Sequence, residues 1–249
     1  MRLRIKKIAV KELKSSTIYY SNPIKNKGKW QEIFGNKNPM HLELGCGRGL
    51  FIVHMAKNNP DINFIAIDIN ESILGMCTRT IKNVFGDNLP SNLVIARFDA
   101  LDIEKLFDYN DVIDRIYINF PLPWAKNRHE KRRLTYYKQL IKYRSFLKED
   151  GEIFFKTDNS ELYMDTLNYF ISANYELVRY TDNIDMNNIF RSDTSVTMHE
   201  QMYSLQGVKI KGIIARVKGL EQNITSAKEE EYLSTEHNFK PYIDLDLKR

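Results

Sequence analysis

Three carboxylates lie in or just after short apolar runs of the sequence, namely Glu43, Asp68 and Asp99. A carboxylate at the end of a buried strand can accept hydrogen bonds from both hydroxyls of a ribose, which is the role indicated for Asp68. Asp99 then stands where the edge of an adenine ring would lie. Asp68 and Asp99 also fit helix caps or turns, so either acid alone decides little. Together the three acids favour a nucleoside-containing ligand.

A glycine-rich segment, Gly45-Cys-Gly-Arg-Gly49, directly follows the first of these apolar runs. Glycine lets the backbone pass close to a ligand, although a plain tight turn is the alternative interpretation. Dinucleotide-binding folds use Gly-x-Gly-x-x-Gly, whereas here the third glycine comes one residue early. Glu43, two residues before the loop, would repel a pyrophosphate but would attract a sulfonium or an amino group. The segment therefore favours S-adenosylmethionine over NAD, with Gly45 and Gly47 as its backbone contacts.

The most distinctive stretch begins at Asn119, at the end of another apolar run beside the expected methyl donor. Two prolines together with Phe120 and Trp124 predict a stiff aromatic platform on which an unstacked base could lie, although Trp124 also fits a core position. His129 is a poor candidate for a general base because no nucleophile stands near it in sequence. Four basic residues that follow could bind RNA phosphates: Arg128, Lys131, Arg132 and Arg133.

From Met40 onward, short apolar runs alternate with amphipathic segments, which predicts an α/β fold with a doubly wound, mostly parallel sheet. The loops at the carboxyl ends of such strands hold the ligand, so the fold would bring the residues above together. One predicted helix runs from about Leu134 to Leu147 and ends at Gly151. Strands are predicted at 41–44, 63–67, 93–96, 115–118 and 152–155, with later candidates at 175–180 and 210–217.

Composition excludes several classes of protein. The chain has 249 residues, of which 43% are hydrophobic and 28% charged, which is unlike a collagen, a coiled coil or a disordered chain. Two cysteines cannot form a disulfide framework, so we expect reduced thiols and a cytoplasmic protein. No apolar stretch reaches the roughly 20 residues that span a bilayer, and the basic start Met1–Lys7 lacks the apolar region of a secretory signal.

The net charge of +5 is unevenly distributed along the chain. We expect a basic N-terminal arm over residues 1–38, a catalytic domain over 39–218, and an acidic, disordered extension over 219–249. A single Lys/Arg run fits a solvated face, but two runs flanking a predicted site favour a phosphate-binding surface. This organisation indicates a nucleic-acid partner.

Several motifs in order resemble those of the bacterial tRNA (guanine-N7)-methyltransferases, the TrmB family. The motifs are Gly28–Trp30, Ile33–Asn36, Leu42–Gly47, Lys131–Leu134, Phe155–Asn159 and Thr197–Glu200. The resemblance implies a single domain with the Rossmann-like class I methyltransferase fold and a seven-stranded sheet. It also implies methyl transfer from S-adenosylmethionine to N7 of the variable-loop guanine in tRNA. No metal site and no obligate protein partner are expected, and the protein would be a monomer or homodimer.

The resemblance also assigns site residues. It implies that Glu43, Asp68 and Asp99 contact the cofactor, and Gly45, Gly47 and Asn119 complete the expected cofactor site. The positions that match substrate contacts are Lys126, Asp158, Thr197, Met198, His199 and Glu200.

One position departs from the family pattern, because Leu122 stands where the family has its active-site Asp. The catalytic residue therefore stays unassigned, with Asp158 and Glu200 as substitutes. Alternatives are a catalytically impaired tRNA-binding homologue, a methyltransferase for another RNA or a small molecule, and an NAD oxidoreductase.

Overall fold

A computed structural model describes residues 7–184 and 198–218 of the chain. Its helices are α1 (Lys7–Ser15), α2 (Trp30–Phe34), α3 (Leu50–Asn58), α4 (Glu71–Phe85), α5 (Tyr137–Tyr143), α6 (Ser160–Ser172) and α7 (Met198–Leu205). Its strands are β1 (Tyr19–Tyr20), β2 (Met40–Leu44), β3 (Asn63–Asp68), β4 (Leu93–Arg97), β5 (Ile113–Asn119), β6 (Leu147–Thr157), β7 (Tyr175–Thr181) and β8 (Lys211–Val217). Short 3-10 helices span Pro23–Asn26, Ala100–Lys105 and Asn127–Arg132.

The strands form one sheet in the order β1-β4-β3-β2-β5-β6-β8-β7. All neighbours from β1 to β6 are parallel, whereas β8 is antiparallel to both β6 and β7. The expected mostly parallel, doubly wound sheet is thus confirmed. It has eight strands rather than seven because Tyr19–Tyr20 pairs with Ile95 and Ala96. Two residues are too few for a period-2 pattern to indicate a strand.

Helices cover both faces of the sheet and bury two apolar layers. α1, α3 and α4 pack on one face through residues such as Leu13, Phe51 and Leu74. α2, α5 and α6 pack on the other, where Leu140 and Phe170 are fully buried. Because the central parallel strands are covered on both sides, β2 is buried along its whole length, including the polar residues His41 and Glu43.

The described part of the expected N-terminal arm packs as part of the domain. Gly75 on α4 lets α1 approach closely, since a Cβ there would lie 2.2 Å from the carbonyl oxygen of Ala9. Trp30 is fully buried, and its indole Nε1 donates to the carbonyl of Leu106 at 3.0 Å. Its backbone N–H donates to Asp111, close before β5 begins. The Lys-rich stretch around Trp30 therefore lies toward the amino-terminal edge of the sheet.

The predicted helix end at Gly151 is wrong. The helix α5 ends at Tyr143, and Gly151 is buried inside the eleven-residue strand β6. Pairing with β5 decides this, because Ile113 pairs with Leu147 and its N–H donates to the carbonyl of Phe146 at 2.8 Å. Long-range pairing here overrides the local glycine signal.

No helix within the described ranges is long and apolar enough to cross a membrane. The expected acidic extension at 219–249 and the candidate site residue Thr197 lie outside the residues that the structure describes.

Candidate active site

Candidate residues from four strands meet at one edge of the sheet. The central strands β2 to β6 run parallel, so their carboxyl ends point the same way. Asp68 ends β3, Asp99 follows β4, Asn119 ends β5, and Asp158 follows β6. In open α/β sheets a ligand binds beyond these ends, on either side of the point where strand order reverses. That point lies between β2 and β5, next to the glycine loop.

The carboxylate of Glu43 lies at the centre of this edge and is 2% exposed. Its Oε1 accepts a hydrogen bond from Nδ2 of Asn119 at 3.0 Å, while its Oε2 has no hydrogen-bond partner among the described residues. Burial raises the pKa of Glu43 to about 7, the Asn119 hydrogen bond opposes this shift, and the charge of Asp68 adds to it. A buried carboxylate with one open oxygen is a position for a cationic or hydrogen-bond-donating ligand group.

The glycine loop that follows Glu43 is open on its ligand side. Gly45 and Gly47 have positive φ angles of 78° and 57°, and a Cβ on either would meet nothing within 4 Å among the described residues. Asp68 braces the loop, because its Oδ2 accepts from the Gly47 N–H at 3.0 Å and its Oδ1 from the Asn70 N–H at 2.8 Å. Asn70, not Asp68, caps α4. The helix-cap alternative for Asp68 is therefore wrong.

Asp99 is exposed and does cap a helix. Its Oδ1 accepts from the Leu101 N–H at 3.0 Å at the start of the 3-10 helix Ala100–Lys105. Capping uses only part of the capacity of a carboxylate, which has about four lone-pair sites. Asp99 thus retains acceptor sites at the end of β4.

A second cluster forms where α7 passes over the end of β6. Nζ of Lys156 lies 2.9 Å from Oε1 of Glu200, and both side chains are buried. One turn further along α7, Tyr203 hydrogen-bonds to Asp158, whose negative charge raises the pKa of the Tyr203 hydroxyl. The Tyr203 ring also lies 6.1 Å from the ring of Phe120, so α7 contacts the end of β5 as well.

Of the predicted substrate positions, Asp158 and Glu200 are brought to one place. Asn159, not Asp158, caps α6 by accepting from the Leu162 N–H at 2.7 Å, so the capping-box alternative for Asp158 is wrong. Met198 and His199 form the first turn of α7.

Sequence reasoning did not single out Lys156 or Tyr203. A lysine inside an apolar strand run signals a buried cation that needs a partner. Tyr203 stands three residues after Glu200, so on a helix the two share a face.

The segment between β5 and the 3-10 helix Asn127–Arg132 is the predicted aromatic platform. Phe120 and Trp124 have positive φ angles of 49° and 44°, which non-glycine residues adopt at a cost of about 1 kcal/mol each. Trp124 is half-buried, with the guanidinium of Arg132 5.2 Å from its ring centroid and the ring of His129 at 5.9 Å. Because Trp124 is only half-buried, the alternative that it is a core residue is wrong. Leu122, two residues earlier, is 69% exposed.

The basic residues near this platform divide into two groups. Lys126, Arg128, Lys131 and Arg132 are exposed and can reach a phosphate. Arg133 is 3% exposed, so its assignment as a phosphate ligand is wrong. Its Nε and Nη1 donate to groups of the protein, because Arg133 faces α6 while Arg132 faces solvent.

The sheet order, the glycine loop and the acids at successive strand ends define a class I, Rossmann-like methyltransferase. Solved structures agree on the fold. "Crystal Structure of 16S rRNA Methyltranferase KamB" matches with a TM-score of 0.56 at 10% identity, covering 76% of this chain and 93% of that one. "Crystal Structure of antibiotic-resistance methyltransferase Kmr" matches with a TM-score of 0.54 at 15% identity, covering 76% of this chain and 91% of that one.

Sequence comparisons identify the particular family. Residues 37–213 match the family model described as "Putative methyltransferase". The tRNA (guanine-N(7)-)-methyltransferase of Clostridium perfringens (strain 13 / Type A) is 44% identical over 219 residues, which is 87% of this chain and 99% of the relative. That of Acetivibrio thermocellus is 42% identical over 220 residues, which is 88% and 100%. The chain belongs to the tRNA (guanine-N(7)-)-methyltransferase family.

Proposed function

We propose that this protein transfers a methyl group from S-adenosylmethionine to N7 of the variable-loop guanine in tRNA. The observation that carries the proposal is the convergence of two different surfaces at one sheet edge. One is the buried carboxylate of Glu43 beside an open glycine loop, and the other is a segment that begins at the half-buried Phe120 and continues through half-buried Trp124 to exposed basic residues. Family membership over nearly the full length of the relatives supports the same reaction.

The chain's own residues fit the methyl donor. The open Oε2 of Glu43 accepts a hydrogen bond from the ammonium group of the methionine part. This cation reduces the free-energy cost of burying the carboxylate. Gly45 and Gly47 leave room for the ligand against the backbone, and Asp68 and Asp99 offer acceptors to the ribose and the base. S-adenosylmethionine supplies, when bound, a methyl group on a sulfonium centre. Asn119 orients Glu43 toward it.

Methylation at N7 makes modest demands on the acceptor side. Guanine N7 carries a lone pair and no proton, so no residue has to act as a general base, and most of the acceleration can come from alignment. Asp158 is half-buried at the end of β6 and accepts hydrogen bonds from the N–H groups of the guanine, which orients the base. Its carboxylate also faces the positive charge that the base acquires on methylation. Glu200, fixed by Lys156, keeps α7 over this position. Leu122 offers no carboxylate at its own position.

The exposed side chains that bind the RNA phosphates are those of Lys126, Arg128, Lys131 and Arg132. Arginine can bind a phosphate through two parallel hydrogen bonds, and such contacts make affinity depend on salt. Phe120 and Trp124 present ring faces on which an unstacked guanine can lie.

The test is methylation of an unmodified tRNA transcript with labelled S-adenosylmethionine, followed by identification of the methylated nucleoside. The matched control is the same tRNA with 7-deazaguanosine at the variable-loop position, which lacks only N7. We expect 7-methylguanosine from the first substrate and no incorporation into the second. Equal incorporation into both would place the methyl group elsewhere and overturn the proposal. The relatives named above are tRNA (guanine-N(7)-)-methyltransferases, which gives no support to a catalytically impaired homologue.

A further inference from the structure

Arg133 links two parts of the protein, the segment that contains Pro123 and the helix α6. Its Nε donates to the carbonyl oxygen of Pro123 at 2.8 Å. Its Nη1 donates to Asp165 and, at 3.2 Å, to the hydroxyl of Tyr169, both on α6. Its Nη2 lies 3.8 Å from Glu161 in the first turn of the same helix. Nε and Nη1 therefore hydrogen-bond to protein groups, and Nη2 lies within ion-pair distance of Glu161.

The segment that Arg133 holds connects β5 to the next 3-10 helix. Its residues 120–126 belong to no helix or strand, and the rings of Phe120 and Trp124 contact Tyr203, Arg132 and His129. At one end the Phe120 N–H donates to the carbonyl of Lys156 at 2.9 Å. Near the other end the Pro123 carbonyl, directly before the strained Trp124, accepts from Arg133. A positive φ persists in a non-glycine residue only where the surroundings enforce it.

The same segment starts at the donor pocket. Asn119, the residue before it, hydrogen-bonds to Glu43 at 3.0 Å. One end of the segment is thus fixed to the proposed donor site, and the far part is fixed to α6. Leu122 lies between the two fixed residues, Asn119 and Pro123, and Trp124 directly follows Pro123. The positions of Leu122 and Trp124 relative to the donor therefore depend on both attachments.

We infer that Arg133 is a positioning residue, which holds the platform formed by residues 120–126 at the correct distance from the methyl donor. The inference rests on the proposed function, because it concerns placement of the acceptor base. A misplacement of about 1 Å can reduce turnover about a hundredfold without weakening binding. Loss of Arg133 would therefore act on kcat, whereas loss of a phosphate ligand would act on tRNA affinity.

The test compares Arg133→Gln with Arg144→Gln. Arg144 is a matched control because its guanidinium also binds backbone carbonyls, those of Ala173 and Asn174, but at the opposite end of α6. We expect Arg133→Gln to lower kcat about 10- to 100-fold while the Kd for tRNA and its salt dependence stay within about twofold. Arg144→Gln lowers thermal stability only.

A second readout does not require activity. The chain has two tryptophans, and Trp30 is fully buried, so acrylamide quenching of fluorescence in the folded protein reports on Trp124. Arg133→Gln should increase quenching, and Arg144→Gln should not. If Arg133→Gln does not fold, Asp165→Asn, at a more exposed site, should give the same increase.

Unchanged quenching, or weaker tRNA binding with unchanged kcat, overturns the inference. The quenching result stands even if the wild-type protein makes no 7-methylguanosine. Failure of the proposed function and failure of this inference are therefore distinguishable.

Discussion

Nζ of Lys156 lies 2.9 Å from Oε1 of Glu200, and their side chains are only 2% and 10% exposed. The two residues are 44 positions apart, one at the end of β6 and the other in the first turn of α7. Their ion pair joins α7 to the sheet above the proposed acceptor position, together with the contacts that Tyr203 makes to Asp158 and Phe120. A buried pair contributes little net stability, but removing one partner leaves an uncompensated charge.

Replacing one member of this pair should destabilise the protein more than replacing both. We expect Lys156→Met to lower the free energy of unfolding by about 3–5 kcal/mol, because Glu200 then loses its buried counter-charge. Lys156→Met with Glu200→Leu should recover part of that loss. Urea unfolding of the two single variants and the double variant measures the coupling. Additive effects would mean that the pair does not hold α7.

Glu43 should destabilise the ligand-free protein at high pH. Burial holds its pKa at about 7, above the ordinary carboxyl value of 4.5, so the folded protein retains a proton that the unfolded chain releases. Stability from this group therefore falls as pH rises from about 4.5 to 7, and the full cost is present above that window. We expect Glu43→Gln to raise the free energy of unfolding by about 3 kcal/mol at pH 8 and little at pH 4.5. The exposed Glu149→Gln should show no such trend.

Binding of S-adenosylmethionine should depend on the same ionisation. A cation beside Glu43 lowers its pKa below the value of about 7 that burial gives it, so binding near neutral pH releases a proton. Affinity should rise as pH increases through 7. Calorimetry in buffers of different ionisation enthalpy detects the proton, and Glu43→Gln should abolish its release. A pH-independent Kd would contradict this assignment of Glu43.

Arg132 and its neighbour Arg133 should behave differently. Arg132 is exposed beside Trp124, so Arg132→Gln should weaken tRNA binding and reduce the salt slope of log K by about one. Binding of S-adenosylmethionine should be unchanged. Arg79→Gln is the control, because Arg79 is an exposed arginine paired with Glu12 on the outer surface of α4. Filter binding at several salt concentrations measures all three proteins.

Leu122→Asp should raise kcat/KM for tRNA methylation. Leu122 is 69% exposed, so an added carboxylate there stays solvated and gains about 1 kcal/mol from a hydrogen bond to the guanine, which corresponds to about fivefold. Leu122→Asn separates hydrogen bonding from charge. Thermal stability should change little for either variant, since the side chain is on the surface. A fall in kcat/KM with both variants would show that apolar contact at this position is what the enzyme uses.

The sequence predicted the parallel sheet and the clustering of acids at strand ends, because buried strands have continuous apolar runs and parallel strands share a carboxyl edge. It did not predict that Gly151 lies inside a strand, since that depends on pairing with β5. Nor could the sequence predict that Arg132 is exposed and Arg133 is buried. Adjacent residues with the same side chain differ here only in which one faces α6.

The ion-pair partner of Glu200 could not be predicted from the spacing of nearby residues either. Lys156 is 44 residues away, and the two meet only after α7 has crossed the sheet edge. The charge pattern suggested two basic runs beside the site. Trp30 and its surroundings instead anchor near the start of β5, because Asp111 holds the Trp30 N–H there.

The position of β8 between β6 and β7 has a consequence for synthesis of the chain. β7 occupies the edge of the sheet, and its sheet neighbour is β8, which follows it by some 30 residues. A nascent chain that has emerged only as far as Thr181 therefore presents the unpaired edge of β6 and an unanchored β7. Such edges promote association between chains. The ribosome must deliver residues 211–217 before this half of the sheet is protected, so truncated or stalled products would be the species most prone to aggregate.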